Sequence, residues 1–184
     1  LSENYKGLHH FFRQNFSQVT NPPIDSLRER LVMSLRTKIG NLSNILDEDE
    51  YQCNHLQLSS PVLSINQFKT MRQYMKNTVK IIDTTMDLNE PNNSFENTLE
   101  KLNFESEQAV REGYVHIILT DKNLSKTRVA LPMILVTSSV HHHLIQKNLR
   151  TFISLNVQSA ECLDVQYYSV LIGVGATSVN AYMA

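Results

Sequence analysis

The sequence predicts an α/β fold with a mostly parallel sheet, or a partial barrel, preceded by a helical arm. After residue 61, short runs of β-branched and aromatic residues alternate at least four times with stretches of helical periodicity. This rhythm is typical of parallel strands joined by crossover helices. The 184 residues are 41% hydrophobic and 19% charged, as expected for a globular domain. We expect residues 1–60 to form a helical arm with a proline-stiffened connector, and residues 61–184 to form the α/β body.

The arm is predicted to contain two helices. The first lies within residues 1–17, where apolar side chains fall roughly on one helical face: Leu8, Phe11, Phe12 and Phe16. The second starts at Ser26, which is spaced from Glu29 as in a capping box, and ends before Gly40. Its apolar residues recur at helical spacing: Leu27, Leu31, Val32, Leu35 and Ile39. Residues 41–60 are polar and predict an exposed loop.

A double proline lies between these two helices, in the run Phe16-Ser-Gln-Val-Thr-Asn-Pro-Pro-Ile-Asp25. Pro22 excludes Asn21 from the helical region and Pro23 restricts Pro22 in the same way, so the segment is stiff and extended. Neither proline has an N–H, which leaves nearby carbonyls to face something other than a sheet partner. The residues alone leave two interpretations open: a connector leading into a core helix, or a functional segment.

The elements of the body share local signals, with polar caps or proline at helix starts, glycine at helix ends and β-branched residues in strands. The first predicted helix is capped by Ser64 and Gln67 and carries Phe68, Met71 and Met75; a buried strand at Val79–Ile82 and a turn at 89–94 follow it. Next come a helix from Phe95 to Glu112 closed by Gly113, a strand at Tyr114–Thr120 and a polar loop at 121–128. The last three elements are a helix from Pro132 to Asn148, a strand at Phe152–Val157 and a helix from Asp164 to Gly173.

Three consecutive histidines, His141 to His143, raise the question of a metal site. Consecutive helical residues point about 100° apart, so the three cannot converge on one ion. We expect no metal; one imidazole should face the sheet and hydrogen-bond there, while the others reach solvent or a neighbouring domain. The run Ile172-Gly-Val-Gly-Ala176 resembles a dinucleotide loop, but Ser178 replaces the third glycine and a helix precedes it. We therefore expect Gly173 and Gly175 only to end a helix.

Asp121 and Lys122 follow a strand at the end where α/β proteins commonly place functional groups. They are either a solvated loop pair or the site of a free-standing small α/β enzyme. Cys162 lies beside Glu161 without an evident histidine base, which argues against a nucleophile. With Cys53 it is expected to be a reduced thiol. These residues do not assemble a complete active site, so we predict no catalytic, cofactor-binding or metal-binding residues in this chain.

Charge and hydropathy exclude two classes of partner. A net charge of −1 provides no basic field for a phosphate backbone, so nucleic acid is not expected. The longest apolar stretch, residues 129–140, contains Pro132 and is too short to cross a bilayer. Leu1 stands where a methionine would start a chain and no signal-peptide pattern follows, so we expect a segment of a longer polypeptide.

A set of motifs in one order resembles the central domain of the glutamate synthase large subunit. They are the proline run Phe16–Asp25, Arg28-Glu29, Val32-Met-Ser-Leu35, Ser60-Pro-Val-Leu63, Ala109-Val-Arg-Glu-Gly113, Val140-His-His-His-Leu-Ile145, Leu149-Arg150 and Leu171-Ile-Gly173. The proline run is the most specific of them, and the motifs extend through nearly the whole chain. The sequence departs from the family's usual residues at six positions: Ser26, Leu163, Gln166, Tyr167, Thr177 and Ala181.

The resemblance implies a parent enzyme that transfers the amide nitrogen of glutamine to 2-oxoglutarate. An amidotransferase domain would release ammonia, and a domain with FMN and an iron–sulfur cluster would reduce 2-iminoglutarate. This chain would join the two as an inactive connecting domain. By the same resemblance, Thr20 and Asn21 would form the entrance of the intramolecular ammonia tunnel, and Pro22, Pro23 and Asp25 would hold that segment in place. A small reductase subunit or ferredoxin is the implied electron-donating partner, in the cytoplasm or, for a ferredoxin-dependent parent, a plastid-type compartment.

Overall fold

The computed structural model describes residues 7–13, 27–29, 33–44, 46, 55–90 and 94–184. Within these ranges the strands are β1 (Thr37–Ile39), β2 (Leu56–Leu58), β3 (Val79–Asp83), β4 (Thr85–Asp87), β5 (His116–Thr120), β6 (Arg128–Ala130), β7 (Ser154–Ser159) and β8 (Ser178–Ala181). The α-helices with both ends described are α1 (Ile65–Met75), α2 (Phe95–Arg111), α3 (Met133–Gln146) and α4 (Val165–Gly173). Short 3₁₀ turns lie at Leu8–Phe11, Lys76–Thr78 and Arg150–Phe152.

A parallel sheet of four strands forms the centre of the fold, in the order β3-β5-β7-β8. Crossover connections containing α2, α3 and α4 join successive strands of this sheet, which confirms the predicted α/β class. The segment before α1 extends the sheet at β8, because the N–H of Leu63 donates to the carbonyl of Val179 and the N–H of Val179 donates to the carbonyl of Pro61. Two smaller antiparallel pairs, β1 with β2 and β4 with β6, accompany the central sheet.

The helix cap predicted at Ser64 is present, whereas Ser26 of the other predicted capping box lies outside the described residues. Ser64 and Gln67 form a complete capping box at α1, which buries Phe68, Met71 and Met75 as expected. Asp164 accepts from the N–H of Tyr167 at the start of α4. Because caps satisfy N–H groups that a first turn leaves open, they locate a helix start from a few neighbouring residues.

The two faces of the sheet differ in polarity. One face carries aliphatic residues such as Leu119, Leu155 and Val179, which are fully buried in the main core beneath α2, α3 and α4. The other face contacts a smaller core in which Ile39 from β1 packs with α1. That second face also carries a buried row of polar side chains, described below.

The predicted second arm helix is wrong over its last part. Residues 27–29 are helical, but residues 33–36 have no regular structure and Thr37–Ile39 form β1. Strand β2 likewise lies inside the predicted loop 41–60. Pairing with β2 and burial of Ile39 at 1% exposure provide contacts that the helical spacing does not reveal.

The apolar face predicted for the first arm helix is wrong at Phe11 and Phe12, whereas Leu8 packs against the main core and Phe16 lies outside the described residues. Phe11 and Phe12 are 77% and 48% exposed, and His9 is the buried residue of the 3₁₀ turn. In the body, the strand predicted to be buried at Val79–Ile82 is an edge strand in which only Ile82 is fully buried. In the described ranges we find no helix that is long and apolar enough to cross a membrane.

Candidate functional site

The five residues predicted at the tunnel entrance lie outside the described residues. Thr20, Asn21, Pro22, Pro23 and Asp25 all belong to the range 14–26. Their assignment therefore stays a prediction. The described segment that precedes them, residues 7–13, is called the strap below.

The strap packs against the start of α4 through a histidine. The Nε2 atom of His9 lies 2.9 Å from Oδ2 of Asp164, and its ring lies 5.0 Å from that of Tyr167. His9 is 5% exposed. The backbone N–H of Tyr167 lowers the pKa of Asp164, and the adjacent His9 contributes in the same direction. Asp164 therefore both caps α4 and binds the strap.

Gln166 makes the second contact between α4 and the strap. Its Nε2 donates to the carbonyls of His9 and Phe12, each at 3.1 Å. Two positions at which the sequence departs from the family's usual residues, Gln166 and Tyr167, thus contact the chain that leads into the proline run.

Asp121 is fully buried, which does not fit the predicted solvated loop pair. Its carboxylate accepts from Ser159 Oγ at 3.0 Å, from the N–H of Ala160 at 2.9 Å and from Tyr182 Oη at 2.8 Å. Burial and the Asp121 carboxylate raise the pKa of Tyr182 above its usual value. Both carboxylate oxygens are engaged, so Asp121 joins the ends of β5 and β7 to the chain after β8.

Lys122 is exposed next to the hydrogen-bonded carboxylate of Asp121. Its Nζ lies 5.1 Å from the centre of the Tyr182 ring, within the range of a cation–π contact.

Arg128 forms a salt bridge with Asp83, with a distance of 3.0 Å between the guanidinium nitrogen and the carboxylate oxygen. Partial burial alone would raise the pKa of Asp83, but hydrogen bonds from Asn123 and Thr85, with the charge of Arg128, lower it.

A row of polar side chains that the sequence analysis missed crosses the carboxyl end of the sheet. Thr120 Oγ1 donates to Gln158 Oε1 at 3.2 Å, Gln158 Nε2 to Asn180 Oδ1 at 2.9 Å, and Asn180 Nδ2 to the carbonyl of Leu63 at 2.9 Å. All three side chains are at most 7% exposed. Alternating polar residues in β7 are a visible signal of such a face, because successive strand residues point to opposite sides.

The three histidines have separate environments, as their helical spacing predicts. His142 is exposed, and His143 Nε2 lies 2.8 Å from Glu107 Oε2. His141 is the inward imidazole, but its partner is a guanidinium and not the sheet: Arg150 Nε donates to its Nδ1 at 2.9 Å. Burial, then the charge of Arg150, lowers the pKa of His141.

Arg150 belongs to the Leu149-Arg150 motif, but the sequence alone indicates no structural role for it. Its guanidinium also donates to the carbonyls of Ile153 and Gly175, each at 2.8 Å. It therefore ties α3 to the turn after α4 and to the start of β7. The helix α4 ends at Gly173, and Gly175 has a φ of +119°, so the glycines do end a helix as predicted.

Cys162 is a buried free thiol whose pKa is raised to about 12, mainly by burial and then by Asp164 and Glu161. A thiol held in its neutral form is a poor nucleophile and a poor metal ligand. No group of three or more potential metal ligands occurs among the residues with a described placement. In the described part of the chain, Asp121 and His141 each belong to a hydrogen-bonded network.

An open apolar groove of about 420 Å³ lies between β2 and α1. Leu56, Leu58, Met71 and Tyr74 line it together with hydroxyl and amide groups. Its lining contains no ionisable carboxylate, amine, imidazole or thiol. The residues that line the groove, between positions 56 and 74, are distant in sequence from the strap.

Comparisons with known proteins give one consistent family. The sequence model described as "Glutamate synthase central domain" matches residues 1–184. The chain is 59% identical to the glutamate synthase [NADPH] large chain of Azospirillum brasilense over 184 residues, and 37% identical to the glutamate synthase [NADH] of Schizosaccharomyces pombe over 188. It is also 37% identical to the ferredoxin-dependent glutamate synthase of Pyropia yezoensis over 186 residues. Each match covers all of this chain but only 12%, 9% and 12% of these relatives, respectively.

Proposed function

The chain belongs to the glutamate synthase central domain family, and on that premise we propose that it is a non-catalytic domain connecting an amidotransferase domain to an FMN domain and contributing to an ammonia tunnel. The match to the family model over residues 1–184 is the observation that supports this proposal. In the parent, ammonia released from glutamine would condense with 2-oxoglutarate to give 2-iminoglutarate and water, and two electrons with two protons would then reduce the imine to glutamate.

The proline run is the part of the chain proposed to line the tunnel. Ammonia must travel as the neutral molecule, which favours fixed carbonyls and apolar walls over acids that would protonate it. Pro22 and Pro23 carry no N–H and restrict the backbone around them. Backbone atoms of Thr20 and Asn21 would then line the entrance, while the two prolines and Asp25 hold them in place.

FMN and the iron–sulfur cluster belong, in this proposal, to other domains of the parent. Cys162 does not fit a cluster ligand, because its thiol is buried with a raised pKa. In this proposal, no chemical step is assigned to the described residues. The amidotransferase and FMN domains are the direct partners, and a small reductase subunit or ferredoxin supplies the electrons. A cytoplasmic location, or a plastid-type compartment for a ferredoxin-dependent parent, is part of the same proposal.

The tunnel proposal is tested with Pro22→Ala/Pro23→Ala in the full-length parent. The measured quantity is the ratio of glutamine hydrolysed to 2-oxoglutarate consumed. We expect the ratio to rise and free ammonia to appear, because alanines loosen the wall. Pro91→Ala, in the turn predicted at residues 89–94, is the matched control and should stay coupled. Unchanged tight coupling in the double variant contradicts the proposal.

The proposed inactivity of the chain alone has a direct assay. The purified 184-residue chain should show no flavin absorbance and no hydrolysis of glutamine. Bound flavin, or turnover of any amide, would contradict a purely connecting role.

A further inference from the structure

An open depression of about 560 Å³ lies where the start of α1, the helix α4 and the end of the chain meet. We call it the terminal depression, and its apolar lining comes from Val62, Leu63, Ile65, Tyr168, Ala181 and Ala184. It adjoins the groove between β2 and α1, with which it shares Val62, Leu63 and Asn66. Because Ala184 is part of its wall, a polypeptide joined to Ala184 starts inside the depression.

The polar side chains in the wall of the terminal depression are neutral. Ser64 takes part in the capping box of α1, where its hydroxyl accepts from the N–H of Gln67 at 3.3 Å. Among the residues that line the depression there is no carboxylate, amine, guanidinium or imidazole side chain. A charged group placed there would lose its hydration without gaining a partner of opposite charge. The depression therefore suits an apolar, uncharged occupant.

The surface of α4 beside the depression is apolar as well. Val165, Tyr168 and Ile172 recur at helical spacing on one side of this helix, and Val165 is 80% exposed. The sequence from Val165 to Ala184 contains no Asp, Glu, Lys or Arg. A helix face that is directed to water normally carries charged residues. An exposed apolar surface of this kind is typical of an interaction site.

We propose that the terminal depression is an interdomain docking site, occupied in the parent by the polypeptide that leaves this domain at Ala184. This inference rests on the proposed function, in which the chain connects two other domains. The match covers only 12% of the Azospirillum brasilense relative, so most of a protein of that length lies outside this domain. A segment attached at Ala184 has a high effective concentration at the depression, which favours it over a separate molecule.

Photo-cross-linking in the full-length parent identifies the occupant. Ile65→p-benzoylphenylalanine places the probe in the wall of the depression, at the first position of α1, where the side chain is 45% exposed. We expect mass spectrometry to find residue 65 joined to the segment directly after Ala184. Because the link lies within one polypeptide, a denaturing gel should show no product of doubled mass.

Phe104→p-benzoylphenylalanine is the matched control for this cross-link. Phe104 is 63% exposed on α2, which packs against β3 at the edge of the sheet opposite β8. Its probe should therefore not reach the segment that follows Ala184.

The rate at which iodoacetamide alkylates Val62→Cys in the full-length parent measures whether the site is covered. Adding Ile65→Asp should make this labelling several-fold faster, because a carboxylate without a partner opposes burial under the docked segment. The helix should tolerate this change, since negative charge is favourable at a helix N-terminus. Phe104→Asp is the control and should leave the labelling rate of Val62→Cys unchanged.

The outcomes separate this inference from the proposed function. Cross-links from residue 65 only to residues 1–184 of the same chain, only to a second copy, or to no peptide overturn the docking site. Labelling of Val62→Cys that Ile65→Asp leaves unchanged does the same. None of these results affects the connecting function, which fails instead if the reading frame of the parent ends at Ala184. The tunnel is tested separately by Pro22→Ala/Pro23→Ala.

Discussion

His141 packs directly on the Cα of Gly175, so closely that a Cβ at position 175 would overlap the Cγ and Nδ1 atoms of the imidazole. The carbonyl of the same glycine accepts from Arg150, which also binds His141. The three residues therefore connect α3, the turn after α4 and the start of β7. Of the three histidines, His141 is thus the one that packs against this turn.

Gly175→Ala is predicted to destabilise the chain by about 3 kcal/mol or more, because it adds overlap to an unfavourable φ of +119°. Gly113 has a φ of +92° with open space around it, so Gly113→Ala should cost only about 1–2 kcal/mol. Gly173→Ala meets no atom and should be neutral or stabilising by up to about 1 kcal/mol. Denaturant unfolding of the three variants measures this order; equal losses would contradict the proposed packing.

His116 is predicted to make the chain sensitive to acid. Its pKa is lowered from 6.5 to about 4 by burial, and its Nδ1 lies 2.6 Å from Ser154 Oγ. Because the unfolded chain binds the proton more readily than the folded chain, stability is full above about pH 6.5 and falls as the pH drops toward 4. Between pH 7.5 and 5 this group should remove about 2 kcal/mol.

Unfolding titrations of His116→Gln would measure this contribution. The variant should lose the part of the slope between pH 7.5 and 5 that His116 contributes, about 2 kcal/mol, and keep the part that comes from His141, whose pKa is also lowered. His142→Gln, at an exposed position, is the control and should retain the slope. A slope unchanged in His116→Gln would assign the acid sensitivity to other groups.

Asp121→Asn is predicted to destabilise the chain by about 2–4 kcal/mol. Asparagine places an NH₂ group against donors that the carboxylate accepts: Ser159 Oγ, the N–H of Ala160 and Tyr182 Oη. Lys122→Ala, at the exposed neighbour, should change stability by less than about 0.5 kcal/mol. If Asp121→Asn unfolds at the same denaturant concentration as the unaltered chain, the hydrogen bonds of the Asp121 carboxylate do not stabilise the fold.

Cys162 is predicted to resist alkylation in the folded chain. With a pKa of about 12 the thiolate is scarce at pH 8, so iodoacetamide should react on the order of a thousandfold more slowly than with an ordinary thiol. Site-resolved mass spectrometry before and after denaturation measures this difference. Rapid labelling of the folded chain would show that the thiol is accessible and ionised, contrary to its burial.

Local patterns predicted the body of the fold well. The capping box at Ser64, the cap at Asp164 and the glycine after α2 each involve residues within a few positions of one another. Their free energy comes from neighbours along the chain, so the sequence displays it directly. The alternation of strands and helices then indicates a parallel sheet, because parallel strands need crossovers.

The arm shows where local patterns failed. Leu35 and Ile39 are spaced for a helix, yet Leu35 is 70% exposed and Ile39 forms part of β1. The partner of that strand is β2, and helical periodicity does not indicate which distant segment is available for pairing. His9 was likewise overlooked beside Phe11, because its burial depends on Asp164.

The sequence by itself determined the family, the order of elements in the body and the separation of the three histidines, since each depends on motifs or spacing along the chain. Only the tertiary structure decided that Asp121 is a buried carboxylate with hydrogen bonds to two other segments, that Gln158 and Asn180 belong to one polar row, and that the strap lies on α4. These arrangements join residues distant in sequence, and their stability depends on desolvation and hydrogen-bond partners that exist only once the sheet has formed.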